Sequence, residues 1–464
     1  TMGTPTNANL GAITTHTATI TDDDATPSVA FTSSSQSVAE SVGTVTVGAT
    51  LNAASGQTVT LPFTVSGTAT FPDDHDLVNG AITIAAGATT GSATFTVTND
   101  AIDEGNETVI LTAGTPTNAN LGAITTHTAT ITDDDATPSV AFTSSSQSVA
   151  ESVGTVTVGA TLNAASGQTV TLPFTVSGTA TFPDDHDLVN GAITIAAGAT
   201  TGSATFTVTN DAIDEGNETV ILTAGTPTNA NLGAITTHTA TITDDDATPT
   251  VTFTAASQAS VGESGTMTVT AQLSAASGLA VTVPFTVSGT ATATTDYTIS
   301  ASPITIAAGA TTGTATITIA ADTLDEPNET VVLTMGTPTN ANLGAITTHT
   351  ATITDDDATP TVTFTAASQA SVGESGTMTV TAQLSAASGL AVTVPFTVSG
   401  TATATTDYTI SASPITIAAG ATTGTATITI AADTLDEPNE TVVLTMGTPT
   451  NANLGAITTH TATI

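Results

Sequence analysis

The sequence predicts an all-β chain: tandem immunoglobulin-like antiparallel β-sandwiches of about seven strands each, arranged end to end. Two observations carry this expectation. An aspartate triplet returns at 22–24, 133–135, 244–246 and 355–357, a period of 111 residues. That period is a comfortable size for a domain with its own core. Between the triplets, apolar residues alternate with threonine at period two, turn residues separate the runs, and no helical periodicity appears.

The copies are nearly perfect. Residues 25–135 match 136–246 throughout, and 247–357 match 358–464 over their shared length. The expected domains are therefore 25–135, 136–246, 247–357 and 358–464, the last ending before its triplet. Residues 1–24 precede them as the last strand and triplet of an earlier repeat. Residues 1–20 recur as 445–464. The chain thus reads as a window on a longer array, with any export signal outside it; a strand donated to a neighbouring subunit is the alternative.

The third repeat shows the strands in order. Residues 250–254 alternate, and a Ser/Gly/Ala loop carrying Glu263 follows. Met267, Val269, Ala271 and Leu273 share one face of the second strand, with Thr266, Thr268, Thr270 and Gln272 on the other. Residues 281–287 form the third strand, where Pro284 signals an edge or a bulge. A loop over 289–297 leads to a short strand at 304–306. Ala315, Ile317 and Ile319 mark the fifth strand, 331–335 the sixth and 345–353 the seventh. The topology expected is an antiparallel meander. Threonine covers the outward faces, where it suits a pleated surface. Only residues 356–359 separate this sandwich from the next, too short a linker for free tumbling.

Composition excludes several functions. The chain has no Lys, no Arg and no Cys against 40 Asp plus Glu, a formal charge of −40. Binding to nucleic acid or to an anionic membrane needs cationic side chains. Without Cys there is neither a disulfide frame nor a thiolate metal site. No stretch is long and apolar enough to span a bilayer. Aromatics make up 3% of the residues, so each core is thin and a bound metal is a plausible staple.

The acids are confined to loops and to the end of the last strand. In the third repeat they are Glu263, Asp296, Asp322, Asp325, Glu326, Glu329 and Asp355, Asp356, Asp357. In the first they are Glu40, Asp73, Asp74, Asp76, Asp100, Asp103, Glu104, Glu107 and Asp133, Asp134, Asp135. Loops after the first, third and fifth strands can share one pole with the end of the seventh. Clustered carboxylates without Cys select Ca²⁺, which takes six to eight oxygens.

These pieces resemble the Calx-β family, the calcium-binding sandwich of sodium–calcium exchangers and many bacterial surface proteins. The resemblance rests on Val261-Gly262-Glu263-Ser264-Gly265-Thr266, on Gly289-Thr290-Ala291-Thr292 with Asp296-Tyr297, on Asp322-Thr323-Leu324-Asp325-Glu326-Pro327-Asn328-Glu329, and on Ile353-Thr354-Asp355-Asp356-Asp357. It covers each repeat from end to end. It implies calcium ligands at Glu263, Asp296, Asp322, Glu326, Glu329, Asp355, Asp356 and Asp357, with Asp325 an extra. In the first repeat the counterparts are Glu40, Asp74, Asp100, Glu104, Glu107, Asp133, Asp134 and Asp135. In the second they are Glu151, Asp185, Asp211, Glu215, Glu218, Asp244, Asp245 and Asp246. The fourth supplies Glu374, Asp407, Asp433, Glu437 and Glu440. Residues 71–76 depart from the family's usual run, which leaves Asp74 and Asp76, and likewise Asp185 and Asp187, as alternative ligands.

Other residues read more plainly. His16, His127, His238, His349 and His460 are strand histidines with a local hydrogen bond, whereas His75 and His186, flanked by aspartates, are candidates for a metal or water-bridged role. The Asn106-Glu107-Thr108 sequon encloses an expected ligand and reads as coincidence. Near-identical acid clusters in every repeat argue against catalysis. Thr-x-Thr runs suggest an ice-binding face, which twisted sandwich sheets supply poorly. The expected function is that of an extracellular or cell-surface, non-catalytic structural protein. A calcium-stiffened rod would pack with copies of itself into a filament or matrix. The alternative is the stalk of a large calcium-dependent adhesin carrying an unknown surface ligand.

Overall fold

The computed structural model describes all residues of 1–464 except Leu435. Compact packing divides the chain into a first unit, 1–210 with 217–243, and a second, 211–216 with 244–464.

In the first unit, the first repeat runs through nine strands: β1 (Ser28–Phe31), β2 (Ser35–Ala39), β3 (Thr44–Leu51), β4 (Val59–Gly67), β5 (Gly80–Ile84), β6 (Thr90–Thr96), β7 (Glu107–Ala113), β8 (Asn120–Leu121) and β9 (Thr126–Thr132). They make two sheets, ordered β6-β3-β1-β8 and β2-β9-β7-β4-β5. Alternation decides which residues face inward. Along β3, Val45, Val47, Ala49 and Leu51 are buried, whereas Thr44, Thr46 and Thr50 point outward. Facing them across the sandwich, Leu61, Ile82, Ile84 and Leu111 are fully buried. Together with Phe31 and Phe95 they form one apolar cluster. The same sequence at 139–243 gives a second such cluster.

The topology is not the expected meander. β1 pairs with β8, and β2 with β9, in parallel, so the opening segment is split between the two sheets. Seven expected strands become nine because this split and the two-residue β8 lie in stretches read as loop or turn. The split has a physical reason. Once Ser33 has left the first sheet, residues 35–39 find the free edge of β9, with Val38 opposite Ile131.

The second unit contains two further clusters, one in each of its repeats. Here Pro284 separates Val281–Val283 from Phe285–Gly289, as expected of a residue without an N–H, and its carbonyl accepts the Gly336 N–H at 2.7 Å. Tyr297–Ile299, which begins where the expected loop ends and lies before the expected strand at 304–306, is a short strand paired with Thr312–Ile319.

Residues 1–20 repeat the sequence of 445–464 but form no strand among the described residues. Their counterpart Thr348–Thr354 lies between Glu329–Met335 and Val261–Gly262, whose backbones supply the ladder. A strand is made by its neighbours. No described helix is long and apolar enough to cross a membrane.

Candidate metal centres

The first repeat assembles its site from four places in the chain. Glu40 opens a single 3-10 turn, Glu40–Val42, directly after β2. Asp74 lies in the β4–β5 connection, Asp100 and Glu104 in the β6–β7 connection, Glu107 opens β7, and the triplet follows β9. Backbone donors then fix the carboxylates. The Asp100 N–H donates to Glu40 Oε1 at 2.9 Å, and the Glu104 N–H donates to Asp133 Oδ1 at 3.1 Å. Asp74 Oδ2 accepts both the N–H and the hydroxyl of Thr70, at 2.5 and 2.8 Å. Asp100 Oδ1 accepts the Ile102 N–H at 2.8 Å, and the Ser41 hydroxyl donates to Asp134 Oδ2 at 2.5 Å.

Two groups of carboxylates converge. Glu40, Asp133 and Asp135 bring oxygens within 4.8 Å of one another, and so do Asp74, Glu104 and Glu107. Between them lies a cavity of about 10 Å³, lined by Glu40, Asp74, Glu104, Glu107 and Asp133. That is room for roughly one water-sized sphere.

The electrostatics record the crowding. Burial, followed by the charges of neighbouring acids, raises the Glu40, Glu104 and Asp135 carboxyls above their ordinary values. Glu107 is pushed up to about 7, first by burial and then by its hydrogen bond with Asp74. Burial opposes the charge on Asp74 as well, but the Thr70 donors outweigh it and hold that carboxyl low. Asp74 therefore keeps its charge while Glu107 holds the proton between them.

The third repeat, in the second unit, builds the same arrangement. The Asp322 N–H donates to Glu263 Oε2 at 3.1 Å, and the Glu326 N–H donates to Asp355 Oδ1 at 3.0 Å. Asp296 Oδ2 accepts the Thr292 N–H at 2.5 Å. Glu263, Asp322 and Asp357 converge. Burial and the hydrogen bond that the protonated Glu329 donates to Asp296 push Glu329 up to about 7. A cavity of about 10 Å³ again lies among Glu263, Asp296, Asp322, Glu326, Glu329 and Asp355. In the fourth repeat Glu374, Asp407, Asp433, Glu437 and Glu440 line a wider cavity of about 250 Å³.

The donor set fits a hard divalent cation. In the groups formed by Glu40, Asp133 and Asp135, by Asp74, Glu104 and Glu107, and by Glu263, Asp322 and Asp357, each residue offers a carboxylate oxygen. In addition, Asp135 Oδ2 and Asp357 Oδ2 are buried without a hydrogen-bond partner, although the rest of each site is densely bonded. A buried carboxylate oxygen needs either a donor or a cation.

The two aspartates at issue in residues 71–76 occupy different positions. Asp74 joins Glu104 and Glu107, whereas Asp76 Oδ1 receives the Thr96 N–H at 2.6 Å and ties the β4–β5 connection to the end of β6. In the second repeat Asp185 accepts the Thr181 hydroxyl at 2.9 Å, and Asp187 receives the Thr207 N–H at 2.6 Å. His75 does not face the acids. It is 3% exposed, its Nδ1 accepts the Leu77 N–H at 3.1 Å, and its ring packs edge-on against Phe95. Nor is the hydrogen bond of His127 local: its Nδ1 lies 2.8 Å from the carbonyl of Ser33, across the sheet. Sequence reading left Asp103 without a role, and it proves to be 94% buried.

The family model described as the Calx-beta domain matches residues 22–135, 133–246, 244–359 and 355–464. No curated protein matches the chain in sequence. Among solved structures, the calcium binding domain CBD12 of CALX1.1 is 17% identical, with 46% of this chain and 98% of that one covered at a TM-score of 0.24. CBD12 from CALX1.2 is 18% identical, with 46% and 99% covered at 0.23. Drosophila N-cadherin EC1-4 is 11% identical, with 89% and 93% covered at 0.19. The family model accounts for nearly the whole length, and the chain belongs to the Calx-beta domain family, in four tandem copies.

Proposed function

We propose that this chain is a non-catalytic, extracellular structural protein whose repeats are stiffened by Ca²⁺ and assemble with other copies into a filament or matrix. The observation that carries the reading is the small acidic cavity among Glu40, Asp74, Glu104, Glu107 and Asp133, together with the unpartnered oxygen of Asp135, which converges with Glu40 and Asp133, in a chain without a single Lys or Arg. No lysine or arginine is present to neutralise these sites, so most of the countercharge has to come from solution. Calx-beta domains are calcium-binding repeats, and oxygen-only donor sets favour that ion.

Glu40, Asp74, Asp100, Glu104, Glu107, Asp133 and Asp135 would hold the ion in the first repeat. Ca²⁺ would supply positive charge, offsetting the mutual repulsion of these carboxylates. The remaining steps belong to the chain. Glu40 ties the turn after β2 to the Asp100 backbone, and Asp133 ties the strand end to the Glu104 backbone. Neutralised carboxylates therefore hold three loops and the exit of β9 together. Outside the sites the surface is nearly uncharged. The edge strands β5 and β6 carry Gly, Ala, Ser, Thr, Ile and Phe and no charge. Natural sheets usually guard their edges with charged side chains, and unguarded edges permit lateral pairing.

The test is thermal unfolding of the whole chain in millimolar calcium and in chelator. Stabilisation by about 4 kcal/mol is expected where calcium exceeds its dissociation constant a thousandfold. Superimposable curves would overturn calcium binding. Light scattering on the same samples tests assembly, and a chain that stays monomeric in calcium at high concentration would overturn the filament.

A further inference from the structure

We propose that Asp103, Asp214 and Asp325 are joint residues rather than cation ligands. Each clasps the Ser-Gly turn of the following repeat, so the loop that contributes to one acid cluster is also the seat of the next domain. The inference rests on the calcium reading only for its dependence on the ion.

In the first unit the Ser166 hydroxyl donates to the Asp103 carbonyl at 3.0 Å and lies 3.2 Å from Asp103 Oδ2. The Gly167 N–H donates to the same carbonyl at 3.0 Å. Ser166 is fully buried and Asp103 is 6% exposed. The second unit makes this contact twice, between Asp214 and Ser277 and between Asp325 and Ser388, with hydroxyl-to-carbonyl distances of 3.0 and 3.1 Å. An Asp whose carboxylate and carbonyl both face a neighbour's hydroxyl is engaged away from its own acid cluster. Drawing its carboxylate onto a cation would give up the contact between Asp103 Oδ2 and the buried Ser166 hydroxyl.

The turn is built before it docks. In the first repeat Ser55 holds the same internal bonds as Ser166. The Gln57 N–H donates to Ser55 Oγ at 3.1 Å and the Gly87 N–H to the Ser55 carbonyl at 2.8 Å. At Ser166 the corresponding distances are 3.1 and 2.8 Å. Docking therefore seats a rigid surface instead of ordering a loose one.

Glycine makes the approach possible. A Cβ on Gly167 would lie 2.5 Å from Glu104 Oε1, and one on Gly389 would lie 2.7 Å from Glu326 Oε1; one on Gly56 meets nothing within 4 Å. Glu104 thus stands between the two functions. Its N–H holds Asp133 and its carboxyl converges with Asp74 and Glu107, while its side chain lies against the glycine of the next repeat. Without a cation, repulsion from Asp74, Asp100, Glu40 and Asp133 acts on this residue, and any displacement is felt at the turn.

The test uses the whole chain. Gly167→Val, Gly278→Val and Gly389→Val are combined, with Gly56→Val as the control. Calcium titration by calorimetry should show about tenfold weaker binding in the triple variant, although no substituted glycine belongs to an acid cluster, and unchanged binding in the control. Equal titrations would overturn the coupling. In a second arm, amide exchange is followed in the Ser-Gly-Leu turn shared by the third and fourth repeats. It should run at least tenfold faster in an Asp214→Ala/Asp325→Ala variant, and in the unaltered chain once calcium is chelated. Alanine keeps the carbonyl that accepts the Ser hydroxyl and the Gly N–H, so unchanged exchange in the Asp variant would overturn the assignment of these carboxylates as joint groups. A chain that binds no calcium would overturn the calcium reading and the coupling, while the exchange arm still decides the clasp.

Discussion

Replacing Glu107 and Glu329 by glutamine should stabilise the metal-free chain and destabilise the calcium-loaded one. The folded state raises each of these carboxyls from an ordinary 4.5 to about 7. A group raised on folding contributes stability that is complete below about pH 4.5 and lost as pH rises through about 7. The shift corresponds to an upper bound of roughly 3.4 kcal/mol per site. Both side chains are only half-buried, so solvent screening reduces this to about 1 kcal/mol. Glutamine reproduces the protonated acid, including its hydrogen bond to Asp74 or Asp296, but never ionises. In chelator at pH 8 the variant should therefore melt about 4 °C above the unaltered chain, and at pH 4.5 the two should coincide. Differencing the two chains cancels every other titration, those of the histidines included. In millimolar calcium at pH 8 the order should invert if Glu107 and Glu329 hold the ion as proposed, because the variant lacks one negative charge at each site. A glutamine variant that melts below the unaltered chain in chelator at pH 8 would refute the electrostatic argument.

Two further outcomes test the fold that holds the sites. Gly67, at φ +139°, places its Cα so close to the Thr108 carbonyl that a Cβ cannot fit. Gly67→Ala should cost about 2–4 kcal/mol in chemical denaturation, through strain in the β4–β7 pairing, and an effect below about 1 kcal/mol would contradict the register. Leu111 is fully buried in the apolar core of the first repeat. Leu111→Ala should cost about 2–5 kcal/mol in calcium and in chelator alike. A loss confined to one condition would place that side chain in the site and not in the core.

Much of this was legible in the chain itself, and the exceptions share a cause. Period-two alternation marks β3 because both of its faces are written in local sequence, Val and Leu inward and Thr outward. Residues 35–39 carry the Ser-Gln-Ser-Val-Ala pattern of a loop and become a strand only because β9 offers an edge. Asp74 and Asp76 are indistinguishable by composition, and the separation comes from which backbone N–H each can reach, Thr70 for one and Thr96 for the other. His75 lies between aspartates in sequence and against Phe95 in space. Asp103 counted as one more acid in a loop, and its burial depends on Ser166, 63 residues away.

By itself, the sequence determined the repeat, the alternation and the charge. A strictly periodic threonine and aliphatic pattern has one economical burial, and a chain without cations must gather its acids where water or metal can reach them. Tertiary structure decided which strand edges were free, which aspartate met which amide, and which acid turned from its own cluster to the neighbouring repeat. Those outcomes depend on hydrogen-bond partners far apart in sequence, and a carboxylate carries no mark of its partner until the chain has brought the two within about 3 Å.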